Sequence, residues 1–387
     1  GADLDRELGK CVEGRGLKLP LEQAEKGRTV HLDGYLRGEG TTLRRGRLNR
    51  GLTGGGAVPG QINEITPLYC DPSPPLLLRS EKESKRVEGA IRKGIEERGA
   101  ALLGVLNLTP DSFHDGGQFT APGTAEARID QLLLQGADAL DLGAESTRPG
   151  ALPIPAEVQW ERLGTALRYA VARGACVSVD TTLPEVAARA LDAGAQAIND
   201  VSCLALPELA RVVAKRDASL ILMHSRGTMT GQPGFGAVPE DTYQDVVREV
   251  RSEWQARASD AVAAGVSPGR LYFDPGLGFH KSAAHSFALL ARLPELLDLG
   301  SGVVVGSSRK SFLGSVDGSP PQDRLGGSIG SCLWAQRHGA RVLRVHDVQA
   351  TRQALLVEAA LRSAAGKRPG LSRAAPELAQ KPQGGLP

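Results

Sequence analysis

Between Ala101 and Val345, short apolar runs alternate with amphipathic segments, and the alternation repeats eight times. The apolar runs fall at 101–107, 138–143, 175–180, 196–200, 218–223, 270–274, 302–306 and 341–344. Helical patterns such as Thr124–Gly136, Pro184–Ala193, Glu240–Ala264 and Val348–Ala364 lie between them. Several end in glycine, as at Gly136, Gly174, Gly194 and Gly339, where a chain leaving a helix turns left-handed. Strands that alternate with helices build a parallel sheet, and eight such units close into an α/β, TIM (β/α)8 barrel of about 250 residues. A chain of 387 residues therefore suits one α/β barrel, over residues 96–365, plus an appendage, rather than two equal domains. A doubly wound open sheet is the competitor, but its Gly-x-Gly-x-x-Gly fingerprint is absent.

Residues 1–95 have little periodicity. Thr53-Gly-Gly-Gly-Ala-Val-Pro-Gly60 and Asp71-Pro-Ser-Pro-Pro75 break any long element, and Arg37, Arg44, Arg45, Arg47 and Arg50 cluster against Glu39. This stretch reads as a weakly ordered extension carrying solvated charge, with residues 81–98 helical and placed to cover the bottom of the barrel. Residues 366–387 read as a disordered tail. With 46 Lys and Arg against 44 Asp and Glu, the net charge of +2 creates no whole-molecule field for nucleic acid or acidic membrane. The cysteines at 11, 70, 176, 203 and 332 form no Cys-x-x-Cys pair, which argues against a zinc site or disulfide framework; Cys176 and Cys203 read as core filler. No run approaches the roughly 18 apolar residues of a membrane span, and the first residues lack the apolar segment of a secretory signal. The expectation is a soluble, cytoplasmic protein with reduced thiols.

In a barrel, the C-terminal ends of all strands meet in one mouth. In Gly104-Val-Leu-Asn-Leu-Thr-Pro-Asp-Ser-Phe-His-Asp-Gly-Gly117 an apolar strand stops at Asn107 and opens into a loop dense in hydrogen-bonding side chains, the layout of an active-site loop. The same design recurs at Asp141-Leu-Gly-Ala-Glu-Ser-Thr-Arg-Pro-Gly150, Ser178-Val-Asp-Thr181, Ile198-Asn-Asp-Val201, Phe273-Asp-Pro-Gly-Leu-Gly-Phe-His-Lys281, Gly306-Ser-Ser-Arg-Lys-Ser311 and Arg344-Val-His-Asp-Val348. Any one aspartate here would equally suit the cap of the following helix; together at strand ends they point to a site. Gly276-Leu-Gly-Phe-His-Lys-Ser282 superficially mimics a phosphate loop but lacks the required gap before Gly-Lys-Ser.

Taken in this order, the runs resemble the dihydropteroate synthase family of the folate pathway, the target of sulfonamides. The likeness covers roughly residues 100–365, about two-thirds of the chain. It implies condensation of 6-hydroxymethyl-7,8-dihydropterin diphosphate with p-aminobenzoate, releasing pyrophosphate and forming 7,8-dihydropteroate. By resemblance Asp180, Asn199 and Asp274 bind the pterin edge, whose amine, ring N–H and carbonyl they complement, and Lys310 donates to its carbonyl. Ser311, Phe113, Thr147 and Arg148 are implied to place p-aminobenzoate, with Asp115 near the reacting centre. Asn107 is implied to ligate Mg2+, and Arg344 and His346, on alternate positions beyond the eighth strand, to support the departing pyrophosphate. The resemblance further implies small-molecule substrates and a homodimer.

Three positions depart from the family pattern: His280 stands where Gly is usual, Ser225 where Met is common, and Ala144 where Gly is usual. His280 adds bulk beside the expected pterin site. Two other readings share the motifs, a pterin-dependent methyltransferase and a catalytically silent pterin-binding paralogue. The methyltransferase need not keep Thr147-Arg148 or the Ser308-Arg-Lys-Ser311 run.

Overall fold

The structure, a computed structural model, describes residues 81–109, 124–145, 152–226 and 238–366. Eight parallel strands, β1 (Ala101–Asn107), β2 (Ala139–Gly143), β3 (Val177–Asp180), β4 (Ala197–Asp200), β5 (Ser219–Met223), β6 (Leu271–Asp274), β7 (Val304–Val305) and β8 (Val342–Val345), pair in the order β6-β5-β4-β3-β2-β1-β8-β7. A bridge between Phe273 and Val303, with the Phe273 N–H donating to Gly302 O at 3.0 Å, joins β6 to the run entering β7. The sheet is thereby closed into the expected (β/α)8 barrel.

The helices are α1 (Glu81–Arg98), α2 (Thr124–Leu134), α3 (Ala156–Ala172), α4 (Pro184–Asp192), α5 (Glu208–Lys215), α6 (Val246–Ala263), α7 (Ala283–Ala291), the short α8 (Ser311–Gly314), α9 (Leu325–Arg337) and α10 (Val348–Gly366). The segment expected as one helix over 240–264 is instead a 3-10 turn, Glu240–Thr242, followed by α6. Asp245 causes the break: its extended backbone cannot continue a helix, and its carboxylate caps the Val247 and Arg248 N–H groups.

Strand alternation divides the packing into two layers. Outward residues such as Leu102, Leu140, Val179, Ile198, Leu220, Phe273 and Leu343 are buried under the helices in the main core. Each fully buried Leu or Ile of this kind contributes about 1.5–3 kcal/mol. Inward residues Leu103, Ala139, Ile221, Val304 and Val342 form a separate small cluster, with Ile91 of α1, Cys176 and Tyr272 packed against it. Through Ile91, α1 covers the foot of the barrel as expected. Arg98, at the end of α1 and buried, pairs with Asp138, whose Oδ2 also accepts from the Leu102 N–H at 2.7 Å. The foot is thus sealed by apolar packing and an ion pair. Cys203 is buried in the main fold, and Cys176 lies at the inner cluster, both consistent with packing roles.

Candidate active site

Four residues beyond Leu103 and Ala139 of the apolar foot, the rung across β1 to β4 is polar. Asn107, Gly143, Asp180 and Asn199 stand opposite one another across β1 to β4. Gly143 sits between them, and a Cβ there would stand in ordinary contact, 3.5 Å from both the Asn107 Oδ1 and the Asp180 Cβ. Asp274 ends β6 on the other side of the mouth. None of these acids caps a following helix: α4 is preceded by Leu183 with no side-chain cap, and α7 is capped by Ser282. Asp274 spends one oxygen on the Gly276 N–H at 2.7 Å.

Arg344 lies within β8 rather than beyond it, and its guanidinium crosses the barrel. Nε donates to Asp141 Oδ2 at 2.6 Å and Nη2 to Asp180 Oδ2 at 2.9 Å. Asp141, completely buried on β2, was not singled out from the sequence because it sits inside an apolar run. Its Oδ2 also accepts from Asn199 Nδ2 at 3.1 Å, while its Oδ1 and Asn199 Oδ1 have no partner. One arginine therefore serves two carboxylates, and buried acceptors on Asp141 and Asn199 are left unpartnered. Burial raises the Asp180 pKa, to about 7; Arg344 opposes this, and Asp141, Asp200 and Glu145 add to it.

Lys310 follows β7. Its Nζ donates to Leu277 O at 2.7 Å and sits 4.6 Å from the Phe279 ring centroid. Burial lowers its pKa to about 8 against the pull of Asp274, and burial likewise raises Asp274 against Lys310. Gly306 separates Lys310 from Arg344, a Cβ there standing 3.8 Å from the ammonium nitrogen. Ser311 opens α8 with its hydroxyl buried and unpartnered.

His346 does not share Arg344's partners. Ser308 Oγ accepts from the His346 backbone N–H at 3.2 Å and lies 3.1 Å from its Nδ1. Burial and then Arg344 push the His346 pKa down to about 3, so the imidazole is neutral and the mouth's positive charge comes from Arg344 and Lys310. Among the described residues no group of three or more His, Cys, Asp or Glu forms a metal cage. Phe113, Asp115, Thr147 and Arg148 lie outside the described residues.

The departures at 225 and 280 touch each other. His280 takes a left-handed backbone at φ 50°, the conformation that suits glycine, and its Nδ1 lies 3.1 Å from Ser225 Oγ. Ala144 is completely buried, and its carbonyl accepts from Arg162 at 2.9 Å.

A barrel whose strand ends gather carboxylates, a carboxamide, an arginine and a lysine around one opening defines a class that binds a flat, polar heterocycle. The family model described as "Pterin binding enzyme" matches residues 103–346, and the chain belongs to that family. Its place there is among the dihydropteroate synthases. It is 42% identical over 263 residues to the dihydropteroate synthase of Mycobacterium leprae, covering 66% of this chain and 91% of that one. The Xanthomonas albilineans dihydropteroate synthase solved with 4-aminobenzoic acid superposes with a TM-score of 0.62 at 42% identity, over 68% of this chain and 93% of that one. The same enzyme solved with 7,8-dihydropteroate gives 0.59 at 39% identity, over 68% and 94%.

Proposed function

We infer that the mouth condenses 6-hydroxymethyl-7,8-dihydropterin diphosphate with p-aminobenzoate. The amine lone pair attacks the exocyclic methylene carbon, the bond from that carbon to the diphosphate oxygen breaks, and the amine proton passes to solvent. The products are 7,8-dihydropteroate and pyrophosphate. The observation that carries this reading is the Arg344 bridge between Asp141 and Asp180, set in one mouth with Asn199, Asp274 and Lys310.

Asp180, Asn199 and Asp274 present acceptors and an amide to the pterin edge, and Lys310 supplies a cation for its carbonyl. No side chain is needed as nucleophile. Orientation of the two substrates and stabilisation of the departing charge carry the acceleration. Arg344 contributes fixed positive charge, and His346 a neutral imidazole. Magnesium characteristically takes one or two protein oxygens and completes its shell with phosphate and water. The single neutral oxygen of Asn107 suits that demand, and the ion, when bound, would neutralise charge on the diphosphate. Ser311, Phe113, Thr147 and Arg148 are assigned to p-aminobenzoate and Asp115 to the neighbourhood of the reacting carbon. The activity is assigned to residues 96–365, in a cytoplasmic homodimer.

The test is pyrophosphate release from the purified protein. Release that requires the pterin diphosphate, p-aminobenzoate and magnesium together supports the synthase. Tight pterin binding without any release would identify a silent binding paralogue instead.

A further inference from the structure

Lys281 has no place in the chemistry just described, yet it is among the largest completely buried side chains in the protein. Removing an ammonium from water costs several kcal/mol unless its hydrogens are all used. Here they are. Nζ reaches His224 Nδ1 at 3.0 Å, His224 O at 3.2 Å and Phe279 O at 3.1 Å, three acceptors for three hydrogens. With Nδ1 accepting, the His224 ring hydrogen lies on Nε2 and is directed at Glu253 Oε2, 3.0 Å away. Burial and then Lys281 lower the His224 pKa to about 4, in keeping with a neutral ring. Glu253 in turn holds Arg226, which packs 3.8 Å from the Tyr243 ring centroid and reaches Glu249 at 2.6 Å. Lys281 is the inner end of a polar chain anchored on α6.

The segment it grips is the loop after β6. Gly276, Gly278 and His280 all have left-handed backbones, at φ 64°, 80° and 50°. The two glycines take that region freely, while a non-glycine residue there is disfavoured by roughly 1–2 kcal/mol, so at His280 the backbone is held against its own preference. It also presses closely on β5's exit: a Cβ at Gly276 would stand 1.9 Å from His224 O, the carbonyl that Lys281 binds. The loop's front carries pterin-side contacts. Gly276 N–H fixes Asp274, Leu277 O receives Lys310, and the Phe279 ring lies against the same ammonium. Phe279 thus offers its carbonyl to Lys281 behind and its ring to Lys310 in front.

Resting on the synthase reading above, we propose that Lys281 is a positioning residue for pterin recognition, holding the β6 loop from behind so that Asp274 and Lys310 meet the pterin ring in the required geometry. The groups that face it are Asp274 on β6, His224 and Arg226 beyond β5, Cys203 beyond β4, Lys310 beyond β7 and Glu253 on α6. Burial lowers the Lys281 pKa to about 7, with Asp274 opposing it, and below that pH the Lys281 charge in turn opposes the burial that raises Asp274.

The test is Lys281→Met in the full chain, which keeps the length of the side chain and removes its charge and donors. Steady-state pyrophosphate release is expected to show the KM for the pterin diphosphate raised about tenfold or more, with the KM for p-aminobenzoate unchanged. A folded variant with the wild-type pterin KM overturns the proposal. So does an equal rise in both KM values, the mark of a merely structural role. Should Lys281→Met not fold, Glu253→Gln, at the partly exposed end of the chain, is expected to raise the pterin KM about threefold, and no change there overturns it. Calorimetric titration with the pterin diphosphate alone separates the two readings: a wild type that releases no pyrophosphate sinks the synthase, while pterin affinity still reports on Lys281.

Discussion

At the foot of the barrel Leu103, Ala139, Ile221, Val304 and Val342 meet in an apolar plug, and two residues further along the same strands stand Val105, Asp141, Met223, Gly306 and Arg344. Each end contains a buried arginine, but the two are used differently. Arg98 at the foot bonds Asp138, which it shares with the Leu102 N–H, and reaches the exposed Glu97 at 3.1 Å. Arg344 at the mouth is divided between Asp141 and Asp180, with Asp141 Oδ1 and Asn199 Oδ1 left unpartnered. Arg98 Nε also lacks a partner, so satisfaction is imperfect at both ends. What differs is the setting of the second carboxylate: Glu97 beside Arg98 is exposed and solvated, whereas Asp141 and Asp180 share Arg344 inside the barrel, largely away from water. Conserving stability at one end and binding at the other is the division expected of this fold.

The comparison breaks most readily at Arg344. Arg344→Ala should lower kcat/KM for the pterin diphosphate by roughly a thousandfold, since it strips fixed charge from the leaving-group side and frees Asp180 from its partner. A loss below about tenfold would make this arginine a structural tie like Arg98. At the foot, Arg98→Ala should cost about 3–5 kcal/mol of folding stability by stranding Asp138, measured by urea unfolding, with unchanged turnover per folded molecule. The double variant Arg98→Met with Asp138→Leu should recover most of that loss.

Asp180→Asn sharpens the same contrast with a smaller effect. It should weaken pterin binding by about 1.5–3 kcal/mol in calorimetry, because an amide nitrogen replaces an accepting oxygen. Folding stability should hold, as Arg344 retains Asp141. The smallest effect is that of pH. Asp180, raised to about 7, must be ionised to accept, and Lys310, lowered to about 8, must be protonated to donate. The profile of kcat/KM for the pterin diphosphate should therefore fall on the acid side of about 7 and the alkaline side of about 8, by up to about tenfold per pH unit. His346, held near 3, contributes no limb there. A flat profile between about pH 6 and 9 would remove both groups from recognition.

Much of the mouth was legible because an apolar run that stops at a polar residue marks a strand end. Asn107, Asp180 and Asn199 lie on one rung, as their positions in successive runs suggest, and Asp274 closes β6. Asp141 was hidden by Leu140 and Leu142, which make it look like one polar residue in a core strand. Arg344 and His346 were read as a pair facing one group, and the structure gives them different partners, Asp141 and Asp180 for one, Ser308 for the other. The extended Asp245 that splits 240–264 into a turn and a helix was also missed, because helical periodicity on either side of a cap looks continuous.

What the chain's order of residues determined by itself was the number of strands, their parallel sense and which residues end them, because hydrophobic period and chain length are local properties. What tertiary structure alone decided was which charges share a hydrogen bond. Arg344 meets Asp141 across 203 residues of sequence, and Lys281 meets His224 across 57. Such pairings, and the protonation they set, depend on barrel closure, strand register and the water excluded by every neighbour at once, none of which a local pattern contains.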